Sequence, residues 1–308
     1  MTGGEDAALF SVVIPTHESR DLVVAAIRSV LAQSDQDFEV VVIDNGSTDG
    51  TRDAVGELGD SRVTYRWQED SGLPADSRNQ GIALARGEWI AFLDADDAWL
   101  PQKLTRVRAA LQADPGLDAL CHDVRITGLL GEHLGERAYR MDDRPIWDQL
   151  LYRGNFFTTS AMTVRASAVR AVGGFDTRAD YFTVEDYDLW LRLADSGSRF
   201  AVVPEVLGTY LVHPGGASSR LTRHYDALAR VFDHHALAAA RAGSLDLRAA
   251  IARRRRSRLA ELRDLARGGA LADAAAVLLR LPAETSRARR SYREAAASST
   301  PPAEKAGS

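Results

Sequence analysis

The chain has 308 residues and a mass of 33.5 kDa, with 45% hydrophobic and 26% charged residues, which excludes collagen-like, disulfide-rich and wholly disordered chains. The lone cysteine, Cys121, rules out an intrachain disulfide, and with no Cys/His cluster for structural zinc a reducing, cytoplasmic setting is expected. The net charge of −5 divides unevenly, because residues 217–308 carry 18 basic against nine acidic side chains and the rest of the chain is left with an excess of 14 acidic ones.

The first hundred residues alternate short apolar runs with helical patterns, the signature of βαβ units on a parallel sheet. Strands are predicted at Phe10–Ile14, Phe38–Ile43, Val63–Trp67 and Trp89–Leu93, and helices at Leu22–Leu31, Thr51–Leu58 and Asp76–Ala85. Beyond Pro101 come a helix over Gln102–Ala113, a strand over Asp118–Thr127, a Gly-rich loop and a mixed stretch to Arg165. A helix over Val184–Ala194 follows, with two short strands, Arg199–Val203 and Val206–Val212, on either side of Pro204. From Ala217 the chain is rich in Ala, Arg and Leu, with helical periodicity in Leu221–Ala242, Leu247–Arg267 and Ala270–Leu281. These helices are expected to pack beside the main domain or to mediate association, as in a homodimer. Ser298–Ser308 has little to bury and is expected to be disordered.

No stretch supplies the roughly eighteen uncharged apolar residues of a membrane-spanning helix, and Met1–Phe10 lacks the basic start and apolar run of a secretion signal. The fold class is therefore α/β with a mostly parallel central sheet flanked by helices, plus a C-terminal α-helical extension. The expected division is an N-terminal tail (1–9), a main domain (10–216, split at 100 into a nucleotide-binding half and a second half that extends the same sheet), a helical extension (217–297) and a disordered tail (298–308).

The chemistry-bearing motifs fall at strand ends. Leu93-Asp94-Ala95-Asp96-Asp97 closes the strand Trp89–Leu93, and ligands of open α/β sheets bind outside the carboxyl ends of strands. Carboxylates are the hard ligands that Mg2+ or Mn2+ prefers, and such an ion commonly bridges them to a substrate's phosphates; a solvated acidic turn has the same composition. Asp44, in Asp44-Asn45-Gly46-Ser47-Thr48-Asp49-Gly50, follows a buried-looking strand, where it could accept from a base N–H or a ribose hydroxyl, although this is also ordinary turn chemistry. Ser77-Arg78-Asn79-Gln80-Gly81 opens a helix, offering Arg78 to a phosphate or base carbonyl and Asn79 as a cap. Asp186, in Thr183-Val184-Glu185-Asp186-Tyr187-Asp188-Leu189-Trp190, sits on a first helical turn, where a carboxylate can take the proton of an attacking hydroxyl; Thr183-x-x-Asp186 equally has the form of a capping box. His213, after a strand and before a flexible turn, is a further candidate ligand for the metal or pyrophosphate, or a satisfied loop residue.

The chain lacks G-x-G-x-x-G, G-x-x-x-x-G-K-[ST] and G-x-S-x-G, the warrants for a Rossmann dehydrogenase, a P-loop NTPase or an α/β-hydrolase. The basic run Arg253–Arg256 has no interleaved aromatics, so it reads as a solvated helix face or an anionic-lipid contact rather than a nucleic-acid site.

Taken in order, Ser11–Thr16, Val41–Asp49, Ser77–Asp97, Gly173–Asp176 and Glu185–Trp190 resemble the motifs of the inverting family 2 glycosyltransferases of GT-A fold, over roughly Ser11 to Ser219. His17-Glu18, Asn45 and Ser77 depart from the family's commonest residues and bear on base and donor preference rather than reaction class. The resemblance implies a nucleotide-sugar donor, expected to be a UDP-sugar, and a hydroxyl-bearing acceptor in cell-surface polysaccharide, glycolipid or secondary-metabolite synthesis. It places Asp44 on the base, Asp94 on the ribose, and Pro15, Thr16, Glu18, Arg78 and Ala95 elsewhere around the donor. Asp96, with His213, would hold Mn2+ or Mg2+; Asp186 would be the general base; Asn79, Asp97 and Glu185 would support the site or its acceptor side. The alternatives are a sugar nucleotidyltransferase, which would be expected to carry a Gly-rich basic loop where Pro15–Arg20 has none, and a non-catalytic carbohydrate- or nucleotide-binding scaffold. The positive C-terminal helices suit peripheral contact with an anionic membrane or acceptor.

Overall fold

A computed structural model describes residues 9–213 and 221–298. Apart from Leu9 and Ser298, the two expected tails lie outside these residues, as does the boundary placed at 216/217. The parallel half of the sheet runs β3 (Val63–Gln68), β2 (Phe38–Asn45), β1 (Phe10–Thr16), β4 (Trp89–Phe92). β1, β2 and β4 are buried along almost their whole length, which is why they read as continuous apolar runs rather than alternating ones.

Helix α1 (Arg20–Leu31) buries Val23, Ala26, Ile27 and Val30, the period expected of a helix lying on a sheet. α2 (Thr51–Gly56) follows β2, and α3 (Pro74–Leu84) starts two residues before its predicted limit, with Pro74 in the first turn, where its missing N–H costs nothing. Gly81 lets α3 close on β1, since a Cβ there would stand 2.3 Å from Val13 Cγ1.

The other half is mixed. After the two-residue β5 (Ala98–Trp99) and α4 (Lys103–Ala113), the mixed stretch of the sequence resolves into β6 (Ala119–Gly128), β7 (His133–Arg137), α5 (Ile146–Arg153), a 3-10 turn at Thr159–Ala161 and β8 (Thr163–Arg165). Short α6 (Ala166–Ala171), α7 (Glu185–Asp195) and β9 (Phe200–Val212) complete this half. β8 is antiparallel to both β4 and β6, and β6 is parallel to β9; the two reversals return β9 to the direction of β4, so both deliver their carboxyl ends to one edge. The two strands predicted around Pro204 are one. The register against β6 steps from Val203 opposite His122 to Val206 opposite Asp123, a bulge that leaves Pro204, which has no N–H to donate, outside the ladder.

α8 (Leu221–Arg241), α9 (Leu247–Arg267) and α10 (Leu271–Ala297) form a bundle against α5 and α7. α10 runs through Pro282, past the stop expected at Leu281. Its second half buries Ala288, Tyr292 and Ala295 in the main core, and Thr285 Oγ1 donates to the Leu281 carbonyl; this packing offsets the cost of a proline inside a helix.

Candidate active site

The carboxyl ends of β1, β2, β4 and β9 and the first turn of α7 surround a cleft of about 940 Å3. Of the residues singled out in the sequence, Pro15, Thr16, Arg78, Asp94, Ala95, Asp96, Glu185, Asp186 and His213 line it. Several buried polar atoms on these walls have no hydrogen-bond partner: Thr16 Oγ1, Arg78 Nε, Asn155 Oδ1, Glu185 Oε2 and Arg253 Nε. Folded proteins rarely leave such groups unpaired, and their convergence on one cleft marks a surface built for a polar ligand.

Asp186 is at the centre. The capping box that Thr183-x-x-Asp186 could form is not made: no side chain caps α7, and Thr183 Oγ1 instead meets His224 Nδ1 at 2.9 Å. Thr183 has φ 79, a left-handed conformation costly for a β-branched residue and typical of functional sites. Asp186 Oδ1 accepts from the Tyr187 N–H at 2.7 Å, while Oδ2 accepts from Asn155 Nδ2 at 2.9 Å and Thr159 Oγ1 at 3.4 Å. Burial first, and the neighbouring Glu185 charge second, push its carboxyl up to about 7, against the Asn155 hydrogen bond and the positive charge of Arg78. A carboxylate tuned to that range is suited to accepting a proton near neutral pH. α7 is anchored to β4 by aromatic contacts: Phe175 meets Phe92 edge-on at 5.2 Å, and Trp190 lies 6.2 Å from Phe92.

Arg78 ties the two acidic motifs together. Its buried guanidinium donates to Asp94 Oδ1 and to Glu185 Oε1, both at 2.7 Å. The two carboxylates hold its pKa above the usual arginine value although burial alone would lower it. Asn79 faces away from the cleft and brackets the backbone of Phe175, donating to its carbonyl at 2.8 Å and accepting from its N–H at 2.7 Å. Asp97 is likewise structural, buried and accepting from Leu211 N–H at 2.9 Å; it fastens β9 to the acidic loop. That bond delivers His213, whose Nε2 lies 3.0 Å from Asp96 Oδ2. Burial and the Asp94 charge raise the Asp96 carboxyl, with His213 opposing.

Two expected donor contacts do not reach the cleft. Asp44 is fully buried, accepting from Ser47 N–H at 2.8 Å and from the Tyr65 hydroxyl, so it would have to give up Tyr65 to meet a base, and Asn45 and Asp70 line the cleft in its place. Glu18 is bound back onto the 47–48 turn, its Oε1 accepting from the Thr48 N–H at 2.7 Å and hydroxyl at 3.0 Å.

Sequence reading missed Asn155 and Thr159, which hold the Asp186 carboxyl, and the bundle residues that reach the site. His224 holds Thr183; His235 Nε2 lies 2.9 Å from Asp188 Oδ1 in the buried back of α7; Arg253 lines the cleft itself. The basic run is not one solvated face: Arg254 pairs with Asp233, and Arg256 donates to the Tyr152 carbonyl at 2.8 Å.

Comparison with known proteins agrees with this geometry. The sequence model of the family described as Glycosyl transferase family 2 matches residues 11–173. The UDP-Glc:alpha-D-GlcNAc-diphosphoundecaprenol beta-1,3-glucosyltransferase WfaP of Escherichia coli is 25% identical over 216 residues, 68% of this chain and 80% of that protein. The succinoglycan biosynthesis protein ExoO of Rhizobium meliloti is 32% identical over 226 residues, 70% of this chain and 64% of that protein. The chain spans only 35% and 40% of two further relatives, each 37% identical where aligned. Among solved structures, S. aureus TarS in complex with UDP-GlcNAc aligns with a TM-score of 0.61 at 20% identity, over 74% of this chain and 66% of that one. The mannosyltransferase PcManGT from Pyrobaculum calidifontis, in complex with GDP-Man and Mn2+, aligns with a TM-score of 0.57 at 21% identity, over 96% and 87%. These likenesses carry the fold, which is of GT-A type.

Proposed function

The chain belongs to glycosyl transferase family 2, and on that premise we propose that it moves a sugar from a nucleotide-diphosphate donor, a UDP-sugar, to an acceptor hydroxyl with inversion, in the synthesis of a surface polysaccharide or glycolipid. The observation that carries this reading is Asp186, oriented by Asn155 and raised to about 7, on the wall of a cleft that also holds Asp94 and Asp96. The names of WfaP, with its UDP-glucose donor and lipid-diphosphate acceptor, and of TarS with UDP-GlcNAc support the donor and acceptor classes.

In this mechanism the donor lies along the strand ends, with the unpaired Thr16 hydroxyl and Asp94 as polar contacts. Asp186 removes the proton of the acceptor hydroxyl as that oxygen attacks the anomeric carbon, and the bond to the nucleoside diphosphate breaks on the opposite face. One displacement needs no carboxylate nucleophile, and Arg78 pairs with Glu185 so that Asp186 is the group left to take the proton.

Among the described residues no three His, Cys, Asp or Glu side chains converge on one point. Asp96 and His213, adjacent at the rim, would therefore hold a divalent cation through two protein ligands, which fits ions that keep several water or phosphate oxygens; an imidazole in the pair favours Mn2+ over Mg2+. When bound, the ion would neutralise charge developing on the leaving diphosphate. We assign 10–216 as the glycosyltransferase domain and 217–297 as its helical extension. No helix among the described residues is long and apolar enough to cross a membrane, and a lipid-linked acceptor would be met from the membrane surface.

Thermal denaturation with a panel of nucleoside diphosphates, with and without Mn2+, tests the reading. UDP is expected to raise the Tm, more so with Mn2+, and Asp96→Ala to lose the Mn2+-dependent part. No shift with any nucleotide would overturn it.

A further inference from the structure

Arg253 differs from its neighbours in the basic run. It is 9% exposed, points inward from α9 and lines the active-site cleft. Its guanidinium lies against Gly154, where a Cβ would stand 2.3 Å from one of its terminal nitrogens; Gly154 itself has φ 105, a conformation glycine alone adopts readily. Among the described residues no carboxylate pairs with Arg253, and its Nε has no hydrogen-bond partner. A buried cation without a counter-ion is costly, and this one faces an open cleft.

Its position is beside the segment that holds Asp186. Gly154 precedes Asn155, the residue that orients Asp186, and the positive charge of Arg253 lies close enough to the Tyr187 hydroxyl to oppose its upward shift. Asp94 is tied to α7 through Arg78.

We propose that Arg253 is an acceptor-binding residue that takes a phosphate or diphosphate group carried by the acceptor, so that the C-terminal bundle completes the acceptor subsite. This rests on the glycosyltransferase reading of the cleft. A phosphate ester presents oxygens to adjacent N–H groups of one guanidinium, the bidentate recognition at which arginine excels, and its negative charge would offset a buried cation that no carboxylate among the described residues pairs.

The test titrates inorganic phosphate into the full-length protein saturated with UDP and Mg2+, so that the donor's own diphosphate position is filled. Wild type is expected to bind phosphate, Arg253→Met to bind it roughly tenfold or more weakly, Arg253→Lys to fall between, and UDP affinity to stay within about twofold in both. The Lys variant keeps the charge and serves as the check should Arg253→Met fail to fold. Phosphate affinity unchanged in the variants, or no phosphate binding by wild type, overturns the assignment while leaving the function intact. Parallel loss of UDP affinity assigns Arg253 to the donor diphosphate and also overturns it. Failure of UDP to bind wild type overturns the glycosyltransferase reading itself.

Discussion

At the scale of single residues, the site depends on keeping two adjacent carboxylates different. Glu185 is paired with Arg78 at 2.7 Å, whereas Asp186 has hydrogen-bond donors but no direct cationic partner and is raised to about 7. Arg78→Met would leave Glu185 buried and unpaired. Removing one partner of a buried pair costs about 3–5 kcal/mol, so this variant is expected to show a large fall in denaturation midpoint together with loss of UDP binding. Asp186, Asp94 and Asp96 were legible in the sequence because each follows a strand or opens a helix within a short motif. Asn155, His224, His235 and Arg253 were not, since nothing in their local sequence says that they will meet a distant element at α7 or the cleft. Asp44 shows the converse. Its place at a strand end is as expected, yet Tyr65 on the neighbouring strand and the Ser47 N–H use its oxygens.

At the scale of elements, α7 is held from three directions: aromatic contacts from β4, Arg78 from α3, and His235 from α8. Asn79 joins α3 to the Phe175 turn that precedes α7. Asn79→Ala strips two backbone groups of their partner and is expected to destabilise the fold by about 1–3 kcal/mol in denaturant titration, with UDP affinity unchanged because the side chain faces away from the cleft. The parallel strands β1, β2 and β4 were readable because burial on both faces leaves unbroken apolar runs. β5 and β8 have two and three residues, too few to show a period. β9 was divided by Pro204 and α10 cut short at Pro282, since both prolines break local rules that long-range packing overrides.

At the scale of the whole molecule, the uneven charge has a structural explanation in part. Arg254 is paired with Asp233, and Arg258 with Asp226, Glu261 and Glu284, within the bundle; Arg253 turns to the cleft. The bundle also shares the main apolar core, contributing Val231, Phe232, Ile251 and Tyr292 beside Leu150, Tyr187 and Trp190. A chain ending at His213 would bare that surface and lack the His224 and His235 contacts to the α7 region. It is expected to aggregate or to lose its near-ultraviolet circular dichroism, whereas a soluble product with the full-length Tm would contradict a shared core.

The central claim is that Asp186 is the base. Its carboxyl titrates at about 7 when folded, so the proton-accepting form, and with it the rate of UDP release from a turned-over UDP-sugar, should rise with pH through about 7 and level off above it. The deciding measurement is that pH profile for wild type and Asp186→Asn, alongside UDP affinity. The variant is expected to bind UDP as wild type does and to lose about 10²-fold or more of turnover at every pH. A variant that retains wild-type turnover, or a wild-type profile flat across neutrality, would contradict the assignment.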